Sequence, residues 1–361
     1  MLSDTLYIVT DQGPAKGIGI YADALAKLVR NVFSDVRVLS LCYLPVEPRP
    51  GWIHLPGSRV AKSWLQVPST IRHNYRLMSE EVSPKSAIHF CGISYRSVSR
   101  YPRSVVTIHD FYPRSAAVGN LRDPTILLRD ASALWQFMTL ARRVGTARER
   151  VVPTRFVQEC LARGTSLSST VVSHWIDSTR FRRRDKRSAR EEIGLPPEDL
   201  LVLNVSEGTS NKNYATLADI ASHLRKGYRM VKVGGSLPDI PGVIHVPRLS
   251  HDLYPLLFNA CDVYLHTSIQ EGFGRPLIEA MASELPVVSL RTPVSFEVLG
   301  EAGLFIRPSA PIEEWIATIE SLTVSSNRSE ITERERRRLP QFEPAVAREA
   351  YIRVYRSAFG S

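Results

Sequence analysis

The chain has 361 residues, 43% of them hydrophobic and 23% charged, with a formal net charge of +10. That length suits two domains of ordinary size, and that apolar content excludes a disordered chain. No apolar run approaches the roughly 18–20 residues needed to span a bilayer. Cys42, Cys91, Cys160 and Cys261 lie far apart with no C-x-x-C spacing. They read as buried thiols of a reducing compartment rather than disulfides or metal ligands. The N-terminus has no signal-peptide shape and reads as a first strand. Residues 1–180 hold 23 basic and 13 acidic side chains, while residues 181–361 hold 23 of each. The whole excess therefore lies in the first half. It fits a polyanion or an anionic membrane surface, and equally a solvated basic surface with no partner.

Tyr7–Thr10 reads as a strand running into Asp11-Gln12-Gly13-Pro14-Ala15-Lys16-Gly17-Ile18-Gly19. Ala22, Leu25, Ala26, Leu28 and Val29 then mark a helix. Strand, glycine loop and helix present backbone N–H groups to phosphate. The loop is not a clean G-x-G-x-x-G, and no dinucleotide site is read from it. Val36–Leu41 is the next strand, and residues 45–60 are a Pro- and Gly-rich loop. Trp64, Leu65, Ile71 and Tyr75 follow among Arg59, Lys62, Arg72 and Arg76. Such a stretch is either interfacial or a set of helices covering a sheet, with Pro68 interrupting it.

Ala87–Phe90 is a strand, and Ser104–Asp110 is a stronger one ending in His109 and Asp110. Those two fall at the carboxyl end of a strand, where ligands bind in an open α/β sheet. Residues 126–150 read as helical. Val151–Thr154 and Thr170–Val172 read as short strands around a helix near Val157–Leu161. Arg182-Arg183-Arg184-Asp185-Lys186-Arg187 reads as a solvated run, and the domain link is placed there. No nucleic-acid signature accompanies it, and no nucleic-acid partner is expected.

The second half restarts the alternation of strand and helix. Leu200–Val205 is a strand, Ser206–Asn213 a loop and Tyr214–Leu224 a helix. Lys212, a compact cation where loop meets helix, suits a diphosphate. Met230–Gly235 and Val243–Leu249 follow as strands with their turns. Asp262–Leu265 is a buried strand leading into His266-Thr267-Ser268-Ile269-Gln270-Glu271-Gly272-Phe273-Gly274-Arg275-Pro276. Gly272 and Gly274 allow a tight loop that a ligand can approach, and Pro276 suits a first helical turn. Glu279 is read in that first turn, with Leu277, Ile278, Ala280 and Met281 facing a core. Loop N–H groups and a helix N-terminus favour an anion, and the flanking Glu271 and Glu279 suit ligand hydroxyls. Val287–Leu290 is a strand, and Glu343–Phe359 has helical spacing at Val346, Ala350, Ile352, Val354 and Tyr355.

The Glu271…Glu279 spacing, with Gly-Phe-Gly-x-Pro inside it and Glu-Ala-Met-Ala at its end, resembles the E-x(7)-E signature of family-4 retaining glycosyltransferases. The resemblance covers nearly the whole chain and is strongest over 200–305. It implies an α/β fold, two Rossmann-like domains of GT-B type facing each other across a cleft. The implied bounds are 1–178, joined by the C-terminal helix 343–361, for the acceptor side, and 179–342 for the nucleotide-sugar side. The implied activity is retaining transfer of a hexosyl group, mannosyl favoured, from a nucleotide-sugar to a hydroxyl of a glycan or lipid-linked acceptor. Glu271 and the loop Gly272, Phe273, Gly274 and Arg275 are implied to hold the donor sugar and phosphates, and Glu279 the ribose. Lys212 and the Gly17 loop are implied to face the leaving diphosphate. His109, with Asp110, is implied beside the donor sugar, and backbone near Arg248 beside the base. The resemblance also implies no metal and no cofactor beyond the donor, for which GDP-mannose is favoured. A cytoplasmic location is expected, with peripheral attachment at the inner membrane face as an option.

Two departures stand out. The family usually has Arg five residues before the Lys, where this chain has Glu207, and Gly where it has Glu284. Glu207 removes one expected cation and keeps open a non-catalytic sugar-nucleotide-binding or scaffold protein. A sugar-nucleotide epimerase of the same architecture is the other alternative, although its Ser-Gly-Gly…Glu-Glu pattern is not found.

Overall fold

The computed structural model describes residues 2–13, 17–42, 50–62, 66–92, 97–110, 139–207, 210–235, 240–247 and 249–360. Trp64, Leu65, Arg248 and the first part of the helix expected over 126–150 lie outside the described residues. The chain divides into two compact units, one of residues 1–173 with 347–361, the other of residues 174–346.

Among the described residues the first unit is built on seven parallel strands. In chain order its elements are β1 (Leu2–Thr10), α1 (Gly17–Val29), β2 (Phe33–Ser40), β3 (Trp52–His54), α2 (Val67–Glu81), β4 (Ala87–Phe90), β5 (Ser104–Thr107), β6 (Glu149–Val152), α3 (Arg155–Thr165) and β7 (Thr170–Val171). The strand order is β3-β2-β1-β4-β5-β6-β7. Leu6, Ile8 and Val9 of β1, and all four residues of β4 and of β5, are buried. A parallel sheet covered on both faces demands that continuous burial. Pro68 sits in the first turn of α2, so it starts this helix rather than interrupting it. Tyr75 and Met78 of α2 enter the core with Ile71 and Leu77 against it, leaving Arg72 and Arg76 exposed.

Only 139–144 of the stretch expected to be helical up to residue 150 is helical among the described residues. A turn at Gly145 ends it, and Arg150 lies on β6 with its guanidinium bound to the carbonyls of Ala147 and Ser168, both at 2.7 Å.

Among the described residues the second unit has six parallel strands. Its elements are α4 (Lys186–Ile193), β8 (Leu200–Ser206), α5 (Tyr214–His223), β9 (Tyr228–Gly234), β10 (Val243–Val246), α6 (Tyr254–Ala260), β11 (Val263–His266), α7 (Arg275–Ala282), β12 (Val287–Leu290), α8 (Pro293–Leu299), β13 (Leu304–Ile306), α9 (Ile312–Ser321) and α10 (Ser325–Arg338). The order β10-β9-β8-β11-β12-β13 reverses direction between β8 and β11, as the first sheet does between β1 and β4. Each reversal opens a crevice at the carboxyl ends of two adjacent strands.

Residues 182–187 are exposed, as their composition suggests, yet several of their side chains are engaged. Asp185 caps α4, its carboxylate accepting from Ser188 N at 2.9 Å. Asp262, which precedes β11, accepts from Lys186 Nζ, from Arg190 Nη2 at 2.8 Å and from Leu201 N at 2.8 Å. A carboxylate this deeply covered needs such partners, and they come from positions 61, 72 and 76 residues away. Glu284 adopts φ +55°, the left-handed region that costs a non-glycine residue about 1–2 kcal/mol. Its carboxylate is gripped by Arg336 at 3.0 and 3.1 Å and by Arg183 at 3.2 Å, which offsets that strain.

The last helix, α11 (Pro344–Phe359), joins the first unit from Ala347 on. Its buried face is Ala347, Tyr351, Val354, Tyr355, Ala358 and Phe359, so Tyr351 belongs in place of the expected Val346, which is half exposed. Tyr355 Oη and Thr107 Oγ1 bond the two ring nitrogens of His89, each at 2.7 Å, and burial pushes His89 down to about 3. The imidazole is therefore neutral and ties α11 to β4 and β5. Among the described residues no helix is long and apolar enough to cross a membrane.

Candidate active site

The loops after β8 and β11 meet at the crevice of the second sheet. Four bonds stitch them together. Thr267 Oγ1 donates to Lys212 O at 2.9 Å, and Ile269 N to Asn211 O at 2.9 Å. Asn211 Nδ2 donates to Gln270 O at 3.0 Å, and Lys212 Nζ to Glu271 Oε1 at 2.5 Å. Lys212 lies in a 3₁₀ turn, Ser210–Lys212, and Asn213 then takes φ +54° to redirect the chain into α5. Asn and Asp tolerate that conformation better than other side chains. Lys212 and Glu271 each keep 17% of their side-chain surface exposed. The pair is thus preorganised and open to a ligand. Asn211 was not singled out in the sequence; an Asn in a strand-end loop was its only signal.

Gly274 takes φ +81° directly before α7, and a Cβ there would lie 3.0 Å from Leu277 Cδ1. Only glycine suits both demands. Because α7 begins at Arg275, Glu279 stands one full turn in rather than in the first turn. It is 5% exposed and accepts from Tyr254 Oη at 2.9 Å, with Arg275 Nε at 3.8 Å. Burial raises its pKa, and the fields of Arg275 and Arg180 and the Tyr254 hydrogen bond oppose that rise. Gly272 is also buried in the loop. The Phe273 ring points inward, stacked on His174 at 4.7 Å and edge-on to Phe342 at 5.8 Å. It anchors the loop, so its expected ligand contact reduces to its backbone. Behind the loop, burial lowers His266 to about 4, leaving a neutral imidazole beside the Lys212–Glu271 pair.

The structure thus brings together Lys212, Glu271, Gly272, Gly274, Arg275 and Glu279. His109, Asp110 and Gly17 belong to the first unit. His109 follows β5 half buried, with Tyr21 of α1 edge-on at 4.6 Å, and Asp110 is exposed. Gly17 opens α1, and a Cβ there would meet nothing within 4 Å. A Cβ at Gly19 would strike Gly13 O at 2.0 Å, so Gly19 is the glycine this loop's own packing requires. Among the described residues no cluster of three His, Cys, Asp or Glu is arranged to hold a metal.

Residues 185–338 match the family Glycosyl transferases group 1. The O-antigen chain mannosyltransferase RfbU of Salmonella typhimurium is 34% identical over 80 residues, 22% of either chain. The D-inositol 3-phosphate glycosyltransferase 2 of Catenulispora acidiphila is 31% identical over 146 residues, 34% of either chain. These alignments span about a fifth and a third of the relatives' lengths. The crystal structure of Anabaena Alr3699/HepE with UDP and glucose superposes with a TM-score of 0.73 at 14% identity, covering 98% of this chain and 100% of that one. The chain accordingly has the GT-B fold, and its residues 185–338 are similar to the group 1 glycosyl transferases.

Proposed function

We propose that this protein is a family-4-type retaining hexosyltransferase that moves a sugar from a nucleotide-sugar to a hydroxyl acceptor. The observation that carries the reading is the Lys212–Glu271 pair, beside a glycine loop that opens α7. Loop N–H groups and Lys212 suit the departing diphosphate, Glu271 suits hydroxyls of the donor sugar, and Glu279 suits the ribose. The diphosphate then acts as base toward the incoming hydroxyl on the same face of the sugar. A mannosyl donor carried by GDP is favoured. RfbU, named a mannosyltransferase, supports the sugar, whereas the UDP and glucose named for HepE support a UDP-sugar as the rival. The test is acceptor-dependent release of nucleoside diphosphate across GDP-, UDP- and ADP-sugars, the panel first ranked by thermal shift. One donor is expected to stabilise the protein and to turn over only with acceptor. Stabilisation without turnover across a broad glycan and lipid-linked acceptor set would favour a binding protein instead.

The acceptor we propose is anionic. The first unit carries 25 basic and 13 acidic residues, a net +12, against −2 for the second. Arg59, Lys62, Arg72 and Arg76 are exposed, while Tyr75 beside them is buried, so the described residues here offer charge. Each basic group near an anionic surface contributes about 1 kcal/mol. The wild type is expected to sediment with anionic but not zwitterionic vesicles, and to be released as salt rises from about 50 to about 500 mM. Changing all four to Ala is expected to abolish that binding. Equal binding to both vesicle types would remove the membrane from the proposal.

A further inference from the structure

Lys232 is 1% exposed, on β9 two residues before that strand ends at Gly234. In register it lies between Asn204 of β8 and His245 of β10. Its Nζ donates to Ser206 O at 2.7 Å and Val233 O at 2.8 Å, and sits 5.0 Å from the ring centroid of Tyr214. No carboxylate among the described residues forms a salt bridge with it. A buried ammonium with two carbonyls, one ring and no paired anion is expensive to keep.

The contacts do not themselves require a charge. Ser206 O also accepts from Tyr214 Oη at 2.9 Å and from Gly235 N at 3.0 Å, so it is satisfied without Lys232. The turn is already closed against that carbonyl, because a Cβ at Gly234 would lie 2.3 Å from Ser206 O. An apolar side chain would fill the space at lower cost. What distinguishes the place is that Ser206 ends β8 and opens the loop that carries Lys212. Glu207 follows at once, exposed, so this loop begins with a negative charge where it is to meet a diphosphate.

We propose that Lys232 is a positioning residue for the donor diphosphate: beneath the start of the loop that carries Lys212 it supplies the positive charge that Glu207 withholds. The inference rests on the donor reading given above. Binding of the diphosphate brings a negative charge above an ammonium that has no salt-bridged carboxylate among the described residues. Burial lowers Lys232 to about 8, with Glu207 acting the other way. The other groups facing it are Tyr214, whose own pKa burial raises, His245 and Asn204. Its charge, and the affinity that depends on it, is present below about pH 8 and lost above it.

The test compares the nucleoside diphosphate and monophosphate of the base that the wild type binds best, by calorimetry. In Lys232→Met the diphosphate is expected to lose about 10-fold or more in affinity and the monophosphate less than about threefold, since the charge acts chiefly on the outer phosphate. A purely structural role would weaken both alike, and that result overturns the proposal. A second measurement needs no apolar variant. The wild-type ratio of diphosphate to monophosphate affinity is expected to fall as pH rises through about 8, and to stay level in Lys232→Arg. A level ratio in the wild type overturns the proposal even if Lys232→Met fails to fold. Wild type that binds no nucleotide at all would overturn the donor reading instead, and this inference with it.

Discussion

Lys212→Ala is expected to lower the transfer rate by roughly 100-fold or more, about 2.7 kcal/mol or beyond in barrier height. The argument begins with what surrounds the ammonium. Lys212 Nζ is held by Glu271 at 2.5 Å, and the loop is fixed by Thr267 and Asn211. A cation placed in advance of the reaction stabilises developing charge without reorganising. No Arg stands at position 207 to share the load within this loop, so the loss falls chiefly on Lys212. Removing Lys212 also leaves Glu271, 17% exposed, without its cation and facing the diphosphate. The double variant Lys212→Ala/Glu271→Gln is therefore expected to lose less than the product of the single losses, because the second change removes a repulsion that the first created. Steady-state rates of the four proteins close this cycle. Wild-type turnover in Lys212→Ala would end the assignment of the leaving-group site to this loop.

The sequence made the second unit's centre readable because its signals are local. Strand 263–266, the glycine loop and Pro276 in the first turn of α7 all follow from neighbours in the chain. Lys212 was readable for the same reason, standing where a loop turns into a helix. What escaped depends on partners far apart in sequence. Asn211 has no visible role until the second loop, 59 residues on, is laid beside it. Tyr254 looks like one more apolar position of α6 until its hydroxyl is found on Glu279. Lys186 is exposed as read, but its bond to Asp262 shows only in the fold, and Lys232 reads as one polar residue in a strand until burial is known. Phe273, read only as part of the donor-holding loop, turns its ring inward to anchor that loop on His174. Hydropathy and spacing report which elements form; they say little about which polar groups those elements bury together.

Glu279→Gln is expected to weaken binding of the preferred nucleotide by about 10- to 150-fold, the equivalent of about 1.5–3 kcal/mol for hydrogen bonds to a charged group. The same change is expected to leave the protein at least as stable as wild type at neutral pH. Both follow from one observation. The carboxylate is 5% exposed, and burial raises its pKa, so the folded protein holds its proton more tightly than the unfolded chain does. A group raised in this way contributes stability that is complete below its unfolded value and is lost as pH rises through the folded one. A charge on Glu279 is therefore a net cost to the fold, tempered by Tyr254 and Arg275. Gln removes the charge, keeps the shape and still accepts from Tyr254. A residue kept at such a cost serves something other than stability, and paired ribose hydroxyls are the ligand that an acceptor-only group in this place would bind. Nucleotide affinity should accordingly fall on acidification at a pH above the ordinary carboxylate range, and Gln should flatten that profile. Calorimetry for affinity, with thermal unfolding of the free proteins beside it, separates the outcomes. Unchanged affinity would remove Glu279 from the site. Weaker affinity with an equally weakened fold would make it a structural carboxylate instead.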